Sequence, residues 1–308
     1  AMKDDRPPPT PQRPPSPLVW WAAARPRTLG LSLAPVLVGA ALAWAQTASL
    51  RLDAALIAGL AAMAIQIGTN LFNDAADFLN GTDRAGRIGP PRVTQRGWLS
   101  AAAVRRAAFA AFLLAALGGI YLVGLGGPPI LGIGLLALLA GYGYSDGPWP
   151  ISRGPWGEVM VIAFFGIAAV AGTAFLCGGG WSLPAVILGA VLGLPAAGVL
   201  LVNNTRDHDD DRLAGRRTLA IRLGPGKART LYAGMLGLAF ALLVTLGFVA
   251  PPMAGALLGL TCLPLAWRAA RRFAQATTAA DFADCLGRTA GLETALALTI
   301  GLGLAMLS

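Results

Sequence analysis

Two clusters of Asn and Asp side chains carry most of the chemical potential of this chain. The first reads Asn70-Leu71-Phe72-Asn73-Asp74-Ala75-Ala76-Asp77, followed by Gly81-Thr82-Asp83. The second reads Asn203-Asn204-Thr205-Arg206-Asp207-His208-Asp209-Asp210-Asp211. On a helix, positions 70, 73, 74 and 77 recur at i, i+3, i+4 and i+7, so four oxygen-bearing side chains share one face. Positions 203, 207 and 211 share a face in the same way. Two facing sets of hard oxygen donors suit Mg²⁺, which prefers octahedral oxygen coordination and keeps substrate phosphates in its shell. Carboxylates alone would repel a diphosphate. Bridging metal ions reverse that sign, and Arg87, Arg92, Arg96, Arg206, Arg216, Arg217 and Arg222 can hold the remaining phosphate oxygens by charge-assisted bonds. Such a site stabilises diphosphate as a leaving group, and its help grows as the bond to carbon breaks.

Single residues read more plainly. Asp209, Asp210, Arg105 and Arg106 fit solvated caps or anchors at a membrane surface, and the lone histidine, His208, fits a solvated position in an acidic loop. Asp146 and Glu158 each bound an apolar run, and either is a helix-terminal charge or a base at the mouth of a cavity. The clusters as wholes resist the solvated reading, because ionisable groups at the border of an apolar bundle are costly and usually face an interior cavity.

The elements that must position these groups are transmembrane helices. The chain has 308 residues, of which 56% are hydrophobic and 13% charged, outside the range of soluble domains. Its 40 glycines and abundant alanine suit close helix packing, whereas a barrel would need alternating strands. Apolar runs at 29–46, 53–72, 105–125, 129–145, 159–178, 183–202, 231–250, 253–267 and 290–307 predict an all-α, polytopic bundle of about nine spans, the eighth being short. Residues 18–308 are expected to form a single transmembrane domain. Residues 1–17 are proline-rich and polar, lack the apolar region of a signal peptide, and predict a disordered tail. Cys177, Cys262 and Cys285 are widely spaced and offer neither a disulfide framework nor, with one histidine, a zinc site.

Loops after odd-numbered runs are short and nearly uncharged, with Arg51 their one basic residue, while the even-numbered loops and the tail hold every other Lys and Arg. The positive-inside rule then places the tail and both acidic clusters in the cytoplasm and Ser308 on the far side of the cell (inner) membrane. That distribution also accounts for the net charge of +9 without nucleic acid, which would need a basic face on a soluble fold.

In combination, the motifs NxxNDxxDxxxGxD and NNxRDxxxDxxxGxxTLAxRLG resemble the UbiA superfamily of membrane prenyltransferases. Within it the likeness is greatest to the menaquinone-pathway branch that prenylates 1,4-dihydroxy-2-naphthoate. Arg87-Ile88-Gly89-Pro90-Pro91-Arg92, Gln95-Arg96-Gly97, Ala24-Arg25-Pro26-Arg27-Thr28-Leu29, and the stretch from Tyr144 through Gly157-Glu158 to Phe164-Phe165-Gly166 share in it. The chain departs from the family pattern at Arg96, where Lys is usual, and in the loop from 145 to 158. The resemblance implies a nine-helix bundle around a lipid-open cavity capped by cytoplasmic loops. It implies Mg²⁺ on Asn70, Asp74, Asp77, Asp207 and Asp211, supported by Asn73 and Asn203, and holding a polyprenyl diphosphate. Arg206 would assist catalysis; Arg87, Arg92, Arg96, Arg217, Arg222, Tyr144 and Glu158 would contact substrate. Ionisation would give an allylic cation, attack by the naphthoate ring would follow, and loss of CO₂ would restore aromaticity.

Other functions fit parts of the pattern. Another aromatic acceptor, 4-hydroxybenzoate or homogentisate, would use the same metal chemistry. An ion-coupled transporter would carry its acids near mid-span, whereas these lie at span ends. A scaffold that only binds a prenylated quinone would release no diphosphate.

Overall fold

The computed structural model describes residues 15–81, 92–146 and 150–307. Every regular element among them is helical, in the order α1 (Ser16–Ala24), α2 (Gly30–Thr47), α3 (Leu52–Leu79), α4 (Ala101–Gly143), α5 (Gly157–Leu176), α6 (Leu183–Arg206), α7 (His208–Leu213), α8 (Leu219–Val249), α9 (Pro251–Gln275) and α10 (Ala279–Leu307). Eight of them, all but α1 and α7, are long and apolar enough to cross a bilayer. One of the eight is two spans in one. A straight helix of the 43 residues of α4 would run about 64 Å, twice the hydrocarbon thickness. It breaks at Gly127 (φ 65°, ψ −153°), which Pro128 and Pro129 follow. The described residues therefore contain nine crossing segments, as the apolar runs predict.

Several boundaries move outward from those runs. α3 stays helical to Leu79, so Asn70, Asn73, Asp74 and Asp77 all lie on it. α10 begins at Ala279, well before its apolar portion, with charge in its first turns, and α8 opens at Leu219 with a short turn that breaks at Gly224 (φ 75°, ψ 159°) before Pro225. In α10 that charge is held locally: Arg272 lies 2.6 Å from Asp281 and 2.7 Å from Asp284. The short eighth run is half of α9, whose first part, Pro251–Cys262, winds as a 3₁₀ helix before Leu263–Gln275 becomes α-helical. α1 opens at Ser16, inside the stretch expected to be a tail, with Pro17 in its first turn. Residues 1–14 and Ser308 lie outside the described residues.

The main apolar core joins α2, α5, α6, α8, α9 and α10 through residues such as Val38, Leu192, Leu201, Leu243, Leu296 and Ile300. A second core near the C-terminal end of α3 packs Val19, Leu71, Phe72, Val104 and Phe112 together with Val93. Val93 anchors the loop between α3 and α4 in apolar surroundings, directly beside the acidic end of α3.

Candidate active site

Asp77 occupies the last turn of α3, buried, with an arginine on each carboxylate oxygen. Arg92 Nη2 lies 2.6 Å from Oδ2, and Arg216 Nη2 lies 2.6 Å from Oδ1. Arg216 also reaches Oδ1 of Asp211 on α7 at 3.1 Å. One guanidinium thus joins the two acidic clusters, which face each other as their sequence requires. Arg92 in addition donates to Asn73, at 2.8 Å to Oδ1 and 3.1 Å to the carbonyl.

The second cluster keeps its face through a change of helix. α6 ends at Arg206 and α7 starts at His208, yet Asp207 N donates to the Asn203 carbonyl (3.1 Å) and Asp211 N to the Asp207 carbonyl (2.8 Å). Side chains 203, 207 and 211 therefore remain aligned. Arg206 grips its neighbour Asp207 bidentately, at 2.7 and 2.8 Å, and donates to Asn203 Oδ1 at 2.8 Å. His208 Nδ1 lies 2.8 Å from Asp209, whose side chain is 97% exposed as a solvated reading expects, whereas the His208 side chain is itself only 15% exposed and is not the freely solvated group its acidic loop suggested.

Below these groups opens a cavity of about 1280 Å³. Its polar end is formed by Asn70, Asn73, Arg92, Tyr144, Asn203, Asn204, Arg206, Asp207 and Arg216, and its long apolar wall by side chains including Ile65, Val123, Ile133, Leu138, Phe164 and Phe165. Burial pushes the Tyr144 phenol up to about 12, and the nearby Glu158 adds to the shift, so Tyr144 offers a neutral O–H at ordinary pH. Glu158 itself stands behind the wall. Its Oε1 accepts from Asn204 Nδ2 at 3.0 Å, which orients the Asn204 amide toward the cavity.

Other expected site residues are placed differently. Asp74 turns away from the cavity: Oδ2 accepts from Val93 N at 3.2 Å, and Oδ1 accepts from Thr94 N at 3.3 Å and from the Thr94 hydroxyl. Helical spacing put 74 beside 73 and 77, but the loop returning from the cluster supplies donors that capture its carboxylate. Asn70 lines the cavity while its Nδ2 donates to the Ala24 carbonyl (3.2 Å) and Thr28 Oγ1 (3.4 Å), tying α3 to the turn after α1. Arg96, Arg217 and Arg222 are exposed and off the cavity wall. Arg87 and Asp83 lie outside the described residues. Among the described residues no three His, Cys, Asp or Glu side chains converge as a metal cluster. The charge of Asp77, Asp207 and Asp211 is met by Arg92, Arg206 and Arg216 instead.

Sequence reasoning passed over two residues. Arg25 lines the cavity from a left-handed conformation (φ 55°), and no local signal marks it, since Pro26 favours an extended residue before it. Glu293 is fully buried on α10 with neither carboxylate oxygen hydrogen-bonded. A lone acid in an otherwise apolar run was its signal.

The UbiA prenyltransferase family matches residues 32–285. The chain belongs to that family. A relative from Mycobacterium tuberculosis, named 1,4-dihydroxy-2-naphthoate octaprenyltransferase, is 34% identical over 252 residues, covering 82% of this chain and 84% of the relative. One of the same name from Escherichia coli is 35% identical, covering 70% and 72%. A UbiA homologue from Archaeoglobus fulgidus, solved bound to GPP and Mg²⁺, superposes with a TM-score of 0.65 at 15% identity, covering 94% of this chain and all of that one. The apo UbiA homologue from Aeropyrum pernix K1 gives 0.64 at 20% identity, covering 89% and 96%. At such identities these structures establish a common fold. This prenyltransferase is accordingly a multi-pass membrane enzyme, and its two Asn/Asp clusters meet at the polar end of its cavity.

Proposed function

We propose that the enzyme transfers a polyprenyl group from polyprenyl diphosphate to 1,4-dihydroxy-2-naphthoate, with Mg²⁺ and with loss of CO₂. The observation that carries this reading is the juxtaposition at the cavity's polar end. Arg216 bridges the two Asn/Asp clusters through Asp77 and Asp211, Arg92 and Arg206 are buried on their carboxylates, and a large apolar chamber continues from this end. A diphosphate fits the polar end and an isoprenoid tail the chamber. The names of the relatives support the naphthoate as acceptor.

The donor set suits Mg²⁺. Asp77, Asp207 and Asp211, with the Asn73 and Asn203 amide oxygens, would hold it, while Asn70 and Asp74 serve the surrounding turns. All five are hard oxygen donors of the kind Mg²⁺ prefers, and the arginines that now hold the carboxylates would be released from them as the ion binds. When bound, the ion supplies the charge against which diphosphate departs. Arg92, Arg206 and Arg216 are placed to bind diphosphate oxygens as their carboxylate partners are taken up elsewhere. The allylic C–O bond breaks with its electron pair going to diphosphate, and the ring carbon that carries the carboxylate forms the new C–C bond. The bond to the carboxylate carbon then returns its pair to the ring as CO₂ leaves. Tyr144 and the Glu158-oriented Asn204 would hold the acceptor hydroxyls beside the allylic carbon. The enzyme lies in the cell's inner membrane with this end cytoplasmic.

Purified protein in lipid, given polyprenyl diphosphate and Mg²⁺, is expected to prenylate the naphthoate and release CO₂ and diphosphate in equal amounts, and EDTA should stop both. Diphosphate release with 4-hydroxybenzoate or homogentisate but not with the naphthoate would change the acceptor and keep the reaction type. No diphosphate from any acceptor with any divalent metal would leave only prenyl binding.

A further inference from the structure

α5 is not a uniform α-helix. Between two α-helical segments, Ala163–Ala168 winds as a π-helix. Such turns insert roughly one extra residue into a helix. The cavity wall shows what this does here. Gly157, Val161, Phe165, Ala169 and Thr173 all line the cavity, at uninterrupted i+4 spacing. On an α-helix each i+4 step drifts by about 40°, so Thr173 would stand about 160° from Gly157, nearly on the opposite face. The π turn takes back about 100° of that drift. One face of α5 therefore looks into the cavity along its whole length, and two consecutive rings, Phe164 and Phe165, both reach the wall.

The turn is locked from behind by α6. A Cβ on Gly166 would strike the Gly189 carbonyl oxygen, one on Gly189 would lie 2.5 Å from Ile167 Cα, and one on Gly193 would lie 2.9 Å from Ile162 Cα. The two backbones touch at the π turn, which fixes its depth and rotation. Phe164 lies six residues below Glu158, about 9 Å deeper into the membrane. That is beyond the layer where diphosphate and the allylic carbon would sit.

We propose that the π turn and its two phenyl rings are the enzyme's determinant of donor-tail length, gripping the isoprenoid beyond its first unit; this rests on the prenyl-transfer reading above. Aromatic faces add to apolar burial when they pack on unsaturated carbon, and a rigid turn lets them do so without reordering. A donor that ends at its first isoprene unit makes none of these contacts.

The test compares kcat/KM for dimethylallyl and geranylgeranyl diphosphate in wild-type enzyme, Phe164→Ala, Phe165→Ala and Gly193→Ala, with a common acceptor. Each Phe variant is expected to lose about tenfold with the long donor and less than about twofold with the short one. Gly193→Ala, which pushes a methyl into the turn without touching the cavity, is expected to show the same length-dependent loss. Losses equal for both donors, or no loss in either Phe variant, would overturn the proposal. If the wild-type enzyme transfers neither donor, the prenyl-transfer reading itself fails, and this inference fails with it.

Discussion

Asp77 and Asp74 sit three residues apart on one helix face and do different things. Asp77 meets two arginines at the end of the cavity, whereas Asp74 receives the backbone of the following loop. Asp77→Asn should lower turnover more than tenfold, a barrier increase above about 1.4 kcal/mol, because it removes the charge shared by Arg92 and Arg216. Asp74→Asn should act first on stability, since an amide nitrogen would face donors at Val93 and Thr94. A loss of about 1–3 kcal/mol is expected, read as a lower melting temperature in detergent. Asp209→Asn, at a solvated side chain, should change neither. Equal and purely kinetic losses in the Asp74 and Asp77 variants would refute this division of roles. The sequence exposed both clusters, because helical spacing is a local property. It could not show that Thr94 captures Asp74, nor that Arg216 spans Asp77 and Asp211, because the first pairing forms only when the loop after α3 folds back on it and the second only once α3 and α7 are brought together. Arg96, Arg217 and Arg222 read like Arg216 in the sequence, and nothing local distinguishes an arginine that turns inward from three that are exposed.

At the scale of elements, apolar runs revealed the spans but not their ends. Hydropathy marks where a helix enters hydrocarbon, and α8 and α10 continue past it with charged turns of their own. The π turn of α5 was equally invisible, since its residues are as apolar as the helix around them. The break in α4 was legible in part, because Gly126-Gly127-Pro128 separated two runs. Its geometry gives a sharp expectation. Gly127 holds φ 65° and ψ −153°, a region essentially confined to glycine, and a Cβ there would meet nothing within 4 Å. Gly127→Ala should therefore cost about 1–3 kcal/mol through backbone strain alone. Gly119→Ala on the same helix, with open space and no such φ, should be neutral or slightly stabilising. Apparent melting temperatures of the two variants in one detergent make the comparison; a harmless Gly127→Ala would mean that α4 runs through without this break.

Across the whole molecule, orientation decides from which side the substrates arrive. The polar end of the cavity carries Arg92, Arg206 and Arg216, and the exposed Arg96, Arg217 and Arg222 lie on the neighbouring loops and helix start, so one face of the bundle is strongly basic. On the opposite face Arg51 is the exception, and its charge is neutralised in place. Asp53 lies 2.8 Å from it, and the Tyr121 hydroxyl donates to Asp53 at 2.6 Å. Trp181, exposed and stacked on Phe175 with ring centroids 4.6 Å apart, lies on that side, where an aromatic residue suits a membrane–water interface. A basic face stays in the cytoplasm during insertion, so the polar end of the cavity should open there. Asp209→Cys and Trp181→Cys, each made in a variant lacking Cys177, Cys262 and Cys285, place a thiol at an exposed position on either face. In sealed cells a membrane-impermeant maleimide is expected to label the Cys at 181 and to reach the one at 209 only after permeabilisation. The reverse pattern would put the acidic clusters outside and require the substrates to reach the cavity from beyond the membrane.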